Sequence, residues 1–498
     1  MKVFKVKKDV KNDGSKFKCK MGIMREYFRI PNNVSIVATI NGTIHEDNLI
    51  RVLKEITAMH PLTGVRIAVD SNHDAWFTDE GTEPLLLKVT ARKSSRQWID
   101  IIENESNIPF NFDKGPLIRF ILVKSKEVSE LIVICQHSIC DGISLTNIVQ
   151  DIVFLLNNPK TCVENIDPVL PVPENFPTVP LRFKLKLLKN RLIMDRINQK
   201  WNKERTIFDE VDYQDVHEAY TQKYSYKIIA EELSPSQTSD LINWCRQNNV
   251  TVNSAVSAAL LAGRNGIRGE FTGNNHVVQI AVNIRDYIKK PAGRVFGFLA
   301  GGIKFESEYI PEKTFLDNVN LFHKKVLLEL DKNKILEPII GHCISPTLTD
   351  GINFATYGRW VPDNFSRYQK LSSFLQNETN KAVVISNQII DNMPGLMISN
   401  LGNIKAQKEY GSIKLDQMYF VTSSSPFLDL VVGVVTVNGK LTLTMNYMED
   451  NNSDKSGIEL KKIMQKSIEY LTTAIKTDYI KNSTDKLSIE LKNNAEKH

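Results

Sequence analysis

A histidine, an aspartate and a glycine stand close together in His137-Ser-Ile-Cys-Asp141-Gly142, and of all the spacings in the chain this one is best suited to chemistry. An imidazole with a pKa near ~6.5 can take a proton from a nucleophile at neutral pH and return it to a leaving group, which is the work of a general base. An aspartate four residues later can hold such a segment by an ion pair or cap a following helix. A glycine at the next place suits a backbone conformation or a close approach that a Cβ would block. Cys135 and Cys140 flank the histidine and offer a thiol nucleophile as a lesser reading. Thiol catalysis, however, normally joins residues brought together by the fold and needs an orienting third group.

These residues need a rigid setting. Leu131, Ile132, Val133 and Ile134 form an apolar, mostly β-branched run, the mark of a buried strand. Leu117 to Val123 supply its partner, and the polar stretch 124–130 between them reads as a hairpin loop. Beyond Gly142 the period changes: Leu145, Ile148, Val149, Ile152, Val153 and Leu156 recur at helical spacing. His137 and Asp141 are therefore expected on a short strand-to-helix connection tied down at both ends.

With 42% hydrophobic and 24% charged residues among 498, the chain has an ordinary globular composition and room for more than one domain. Lys and Arg total 63 against 57 Asp and Glu, too slight a bias to argue for nucleic acid. Six cysteines lie without CxxC spacing, which suggests neither a zinc site nor a disulfide framework. No P-loop, GxSxG, HExxH or dinucleotide fingerprint occurs, so nucleotide hydrolysis, serine hydrolase and zinc protease chemistry have no support. No stretch approaches the ~20 apolar residues of a membrane helix. The basic start, Met1 to Lys8, has no apolar segment behind it, and a soluble cytoplasmic protein is expected.

In order along the chain, residues up to Lys20 read as polar and loosely ordered. Val34–Ile40 reads as a strand, Asn41-Gly42 as a turn, and Glu46–Met59 as a helix with Leu49, Val52, Leu53 and Ile56 on one face. His60 after it reads as a helix C-terminal histidine serving the last carbonyls. Six prolines from Pro159 to Pro180 mark a crossing between two parts. Leu181 to Arg205 is a basic helix whose charged face is either solvated or a seat for a phosphate-bearing cofactor. The second part restarts with a strand at Tyr224–Ile228, a helix opened by Ser234-Pro235, a small-residue helix from Ser254 to Ala262, and a strand Val277–Val282 running into Asn283-Ile-Arg285. A hairpin turns at Asn438-Gly439, an amphipathic helix spans Ile458–Ile475, and a polar tail follows from Asn482.

His137-Ser-Ile-Cys-Asp141-Gly142 resembles the HxxxDG signature of acyltransferases related to chloramphenicol acetyltransferase. That group includes peptide-synthetase condensation domains, wax-ester synthases and alcohol acetyltransferases. Pro109-Phe-Asn-Phe-Asp113-Lys-Gly-Pro116-Leu-Ile-Arg119 resembles the passage that precedes the active-site histidine there. Asn283-Ile-Arg285, Gly293-Arg-Val-Phe-Gly297 and Ile398-Ser-Asn400-Leu-Gly402 are similar to further passages, the last most like alcohol acetyltransferases and wax-ester synthases. The likeness covers roughly residues 22 to 478. Condensation domains carry two adjacent histidines where this chain has Gln136, so peptide-bond formation is the less expected role. The DFGWG passage of plant-type enzymes is absent.

The resemblance implies an α/β protein of two chloramphenicol acetyltransferase-like α/β sandwich domains arranged as a pseudo-dimer around a central tunnel. Residues 22–180 would carry the motif, 181–478 would form the second half, and 1–21 and 479–498 would be polar tails. The implied reaction moves an acyl group from a CoA or carrier-protein thioester to an alcohol, with His137 as base. Asp141 would pair with Arg285 to shape the site beside Gly142. Asn283, Ser399, Asn400 and Ser424 are the candidates for substrate or oxyanion contact. No permanently bound cofactor and no metal is expected, the thioester being a co-substrate. The expected partners are a small-molecule acceptor and, for a carrier-bound donor, an acyl carrier protein, with the chain itself a monomer. Amide formation and a non-catalytic carrier- or lipid-binding role stand as alternatives.

Overall fold

Apolar residues that face both sides of a strand belong in the middle of a covered sheet, and Leu131–Ile134 take that place. A computed structural model describes residues 1–6, 16–177, 180–289, 292–361, 369–405, 411–453 and 455–475. The first part runs β1 (Lys2–Val6), β2 (Lys18–Lys20), β3 (Asn33–Asn41), α1 (Glu46–Met59), β4 (Arg66–Val69), β5 (Ala75–Thr78), β6 (Leu85–Ala91), α2 (Gln97–Ser106), β7 (Ile118–Lys124), β8 (Val128–Gln136) and α3 (Gly142–Asn157). After the proline-rich crossing come α4 (Leu181–Lys203), α5 (Glu210–Lys223), β9 (Tyr224–Leu233), α6 (Pro235–Gln247), α7 (Val252–Arg268), β10 (Val277–Asn283) and β11 (Ala300–Glu306). Then follow α8 (Phe315–Glu329), α9 (Lys332–Ile340), α10 (Pro346–Gly358), α11 (Gln369–Gln376), α12 (Lys381–Asp391), β12 (Leu396–Ile404), β13 (Lys414–Val421), β14 (Leu430–Val437), β15 (Lys440–Asp450) and α13 (Lys455–Glu469).

Two six-stranded sheets organise the molecule, one in the order β1-β6-β7-β8-β3-β13 and the other β11-β10-β12-β14-β15-β9. Helices pack on each, giving the two-lobed α/β architecture the sequence led one to expect, with two apolar cores. The lobes share chain. Strand β13, which follows most of the second sheet in sequence, pairs antiparallel with β3 and completes the first sheet. Its backbone then meets β14 and β15 of the other sheet. Thr442 Oγ1 donates to the Met418 carbonyl at 2.8 Å, Thr444 Oγ1 to that of Phe420 at 2.5 Å, and Asn446 Nδ2 to Thr422 Oγ1 at 2.8 Å. Gly433 makes the approach possible, since a Cβ there would lie 2.2 Å from the Phe420 carbonyl oxygen.

Several local expectations are changed. The hairpin loop between β7 and β8 is only Ser125 to Glu127, because Ser129 and Glu130 are buried inside β8 and Arg92 Nε supplies Glu130 with a partner at 2.7 Å. Lys2–Val6 and Lys18–Lys20 are strands rather than loose chain. Lysines exposed on an edge strand such as β1 mask it in sequence and guard it against further pairing. At the β14–β15 turn Asn438 and Gly439 have φ of 50° and 77°, both positive as the two-residue hairpin requires. Residues 479–498, expected as a polar tail, and 7–15 of the N-terminal one lie outside the described residues.

Candidate active site

The backbone that carries His137 is tied to its neighbours on both sides. The Gln136 amide donates to the Leu117 carbonyl at 2.9 Å and that of His137 to Asn32 at 2.9 Å. The buried Gln136 side chain bridges two backbone groups, donating to the Tyr27 carbonyl at 2.6 Å and accepting from the Ser138 amide at 2.7 Å. It is a brace for the connection. The imidazole packs against Tyr27 and Phe298, with ring centroids 5.0 and 5.1 Å away, and these two rings touch each other at 4.8 Å. Its Nδ1 sits 2.7 Å from the Cys140 carbonyl oxygen. A carbonyl can only accept, so Nδ1 carries the hydrogen and Nε2 keeps its lone pair in the neutral ring. Burial pushes the His137 pKa down, and this outweighs the Cys140 carbonyl and the Asp141 charge, which act the other way. The ring is neutral at pH 7.

Asp141 is at once a helix cap and an ion-pair partner. Its Oδ1 accepts from the Ser144 amide at 2.8 Å and Arg285 Nη2 at 3.0 Å. Oδ2 accepts from Arg285 Nη1 at 2.8 Å and the Leu299 amide at 2.9 Å. Burial alone would raise this carboxyl, but the Arg285 guanidinium and the two backbone donors override it and hold the pKa below the usual range. Arg285 also reaches Ser144 Oγ at 2.8 Å, and Ser144 Oγ in turn donates to the Gly297 carbonyl at 2.8 Å and accepts from its amide at 3.1 Å. Gly142 is a contact position: a Cβ would fall 2.5 Å from Leu401 Cδ2 and 2.7 Å from Phe420 Cζ.

Further along α3, Asp151 binds Arg294 through Oδ1 and His60 Nε2 through Oδ2 at 3.1 Å. The His60 ring is buried against this carboxylate rather than serving the carbonyls of α1, which corrects its reading as a helix C-terminal histidine. Helix α3 and its N-cap thus supply three residues, Asp141, Ser144 and Asp151, that fasten Arg285, Arg294, Gly297 and Leu299 of the second half. The Pro109–Arg119 passage fastens itself: Arg119 donates to the Glu105, Ile108 and Pro109 carbonyls and lies 4.0 Å from the Phe110 ring centroid.

A cavity of about 740 Å³ opens in front of His137. Strand periodicity builds its far wall: Gln279, Ala281 and Asn283 of β10 and Met397, Ser399 and Leu401 of β12 face it, while Val278, Ile280, Leu396 and Ile398 between them are buried in the second core. All eight residues singled out in sequence line this one space: His137, Asp141, Gly142, Asn283, Arg285, Ser399, Asn400 and Ser424. Their free valences differ. Asn283 Oδ1 is taken by the Arg285 amide and guanidinium at 3.1 and 3.2 Å, and Asn400 Oδ1 by the Gly402 amide at 2.8 Å. Ser424 Oγ is buried with no hydrogen-bond partner among the described residues.

Sequence reasoning did not single out Tyr27, Ser144, Phe298 or the Leu299 amide. Ser144, three residues after a capping aspartate, carried a readable signal; the others reach the site only through the fold. Cys135 and Cys140 are both buried, and burial followed by the Cys135 thiol pushes Cys140 well up, which opposes a thiolate there. Among the described residues no cluster of His, Cys, Asp and Glu could hold a metal ion, and no helix is long and apolar enough to cross a membrane.

No curated protein matches the chain by sequence. Solved structures match across nearly its whole length. The TRI3 trichothecene 15-O-acetyltransferase of Fusarium sporotrichioides superposes with a TM-score of 0.60 at 12% identity, covering 94% of this chain and 97% of that one. The first condensation domain of the calcium-dependent antibiotic synthetase gives 0.57 at 11% identity over 92% and 95%. Polyketide synthase associated protein 5 of Mycobacterium tuberculosis gives 0.54 at 14% identity over 92% and 98%. At such identities these likenesses show the fold. A family model described as alcohol acetyltransferase matches residues 92–468, more than half of the chain and all of the site's motifs, and the chain accordingly belongs to the alcohol acetyltransferase family.

Proposed function

We propose that the protein transfers an acyl group from a CoA or carrier-protein thioester to an alcohol, with His137 as general base. The observation that carries this reading is the 2.7 Å contact from Nδ1 to the Cys140 carbonyl, which leaves the basic Nε2 for the cavity in a ring kept neutral by burial. Nε2 takes the hydroxyl proton as the alcohol oxygen bonds to the thioester carbon, and the carbonyl oxygen gains the negative charge. The buried, unpartnered Ser424 hydroxyl is the proposed donor to that oxyanion. As the intermediate collapses the C–S bond breaks, and the imidazolium returns its proton to the sulfur. Arg285, Asp141, Ser144 and Asn283 set the geometry without touching the reacting atoms. Family membership supports acyl transfer and favours an alcohol acceptor.

The test is thiol release from a chain-length panel of acyl-CoAs with pooled alcohols and amines, using wild type and a folded His137→Ala protein. Acceptor-dependent release should fall by ~10²–10⁴ in the variant. Release untouched by the substitution would remove the base. Release with amines alone would replace ester by amide formation, and release only when an acyl carrier protein bears the donor would exclude free CoA.

A further inference from the structure

Helix α4 has two apolar faces, and among the described residues only one is packed. Phe183, Leu187, Met194 and Ile197 are half-buried, and Trp201 is buried with its indole N–H on Thr347 Oγ1 at 2.9 Å. Leu181, Leu185, Leu188 and Leu192 form a second stripe at i, i+4, i+7 and i+11, with 74%, 61%, 55% and 57% of their surface exposed. At the helical rise this stripe is ~16 Å long. Soluble surfaces scatter single leucines, whereas a continuous line of them marks an interaction face.

Charge identifies what the face meets. The α4 sequence carries eight Lys and Arg and a single acid, Asp195. Lys184, Lys189, Arg191 and Arg196 are exposed, while Lys186 pairs with Glu337 of α9 at 2.7 Å. Alongside, α9 begins at a corner where Leu327, Leu328 and Leu330 are 60%, 66% and 43% exposed, with Lys324, Lys325 and Lys332 beside the acids Glu329 and Asp331, so the basic excess lies on α4 itself. Large apolar side chains in a field of cations fit a helix lying in the headgroup layer of a bilayer, leucines in the acyl boundary and lysines on anionic headgroups. A second copy of the chain would set these cations against their own kind.

We infer that α4 is a docking helix for anionic lipid surfaces. The site is separate from the catalytic cavity but near it. Helix α12 touches α4 and contributes Ile385, Gln388 and Ile389 to the cavity wall, so one helix lies between the lipid-facing surface and the substrate space. A lipophilic alcohol or acyl donor dissolved in the bilayer would then be concentrated beside the cavity.

The experiment is flotation of the full chain with vesicles of phosphatidylcholine alone and of equal parts phosphatidylcholine and phosphatidylserine. Wild type should bind the anionic vesicles about ten-fold or more over the neutral ones, with the difference erased by high salt. Two variants are compared, Leu185→Ser/Leu188→Ser/Leu192→Ser and Lys184→Glu/Lys189→Glu. These positions are exposed, so both should melt with wild type, and both should lose about ten-fold or more of the vesicle binding. Absence of anionic preference, or equal binding by the leucine variant, would overturn the assignment. A concentration-dependent dimer that the leucine changes dissolve, without vesicle binding, would overturn it in favour of self-association.

Discussion

At the scale of single residues, the hydrogen bond from His137 to its own neighbour's carbonyl fixes both the tautomer and the direction in which the lone pair points. Burial favours the uncharged ring, so its pKa lies below the ordinary ~6.5. If the neutral ring is the base, the acid limb of kcat/KM should fall below pH ~6.5, with activity kept at pH values where an exposed histidine is already half protonated. A pH–rate profile whose acid limb sits at or above that value would contradict the assignment. This residue was legible in sequence because its supporting geometry is short-range: three residues separate His137 from the carbonyl it uses and four from Asp141. The rings that flank it were not legible. Tyr27 and Phe298 lie 110 residues before it and 161 after, and nothing in their own neighbourhoods distinguishes them from core aromatics.

At the scale of elements, α3 decides whether the site exists. Its first turn accepts or supplies the bonds to Arg285, Leu299 and Gly297, and two turns on Asp151 binds Arg294 and His60. Replacing Asp141 by Ala would strand a buried guanidinium and should cost ~3–5 kcal/mol, read as a lower urea midpoint with an unchanged m-value. The double replacement Asp141→Ala/Arg285→Met, which removes both charges, should recover part of that loss. If the single change costs no more than the double, the pair does not hold the two segments together. Helix α3 and strand β8 were readable because their apolar patterns are strong and switch period at Gly142. The start of β8 was not, because Glu130 looks like loop until Arg92, 38 residues earlier in the chain, is seen to pair with it. Helices α8 to α12 went unread for a similar reason. Several of their exposed positions are apolar, such as Leu321, Leu327 and Leu328, and this blurs the stripe that marks a helix packed on a core.

At the scale of the whole molecule, α5 brings an unused titratable group into the interior. Burial, followed by the Arg119 charge, pushes His217 down to about 3, far below the ~6.5 of an unfolded histidine. Between those values the unfolded chain binds a proton that the folded chain does not, so stability is full above pH ~6.5 and falls as the pH drops toward 3. At pH 5 this group alone should cost about 2 kcal/mol relative to pH 8. His217→Phe should flatten that part of the pH dependence in denaturation experiments; an unchanged slope would place the acid sensitivity elsewhere.

The path of β13 has a practical corollary for anyone who cuts the gene. A fragment ending at the proline-rich crossing would contain HxxxDG and most of the first sheet, yet β3 would lack its outer neighbour and expose the edge of Ser35–Asn41, the seven residues that pair with β13. Such an edge recruits other strands, so this fragment should aggregate when made alone. Made together with the remainder of the chain, it should be rescued and regain acyl transfer, because the missing strand then arrives in trans. Fragment complementation, measured as soluble yield and thiol release, would therefore report β13 insertion directly, and the crossing becomes a natural place to build a split reporter.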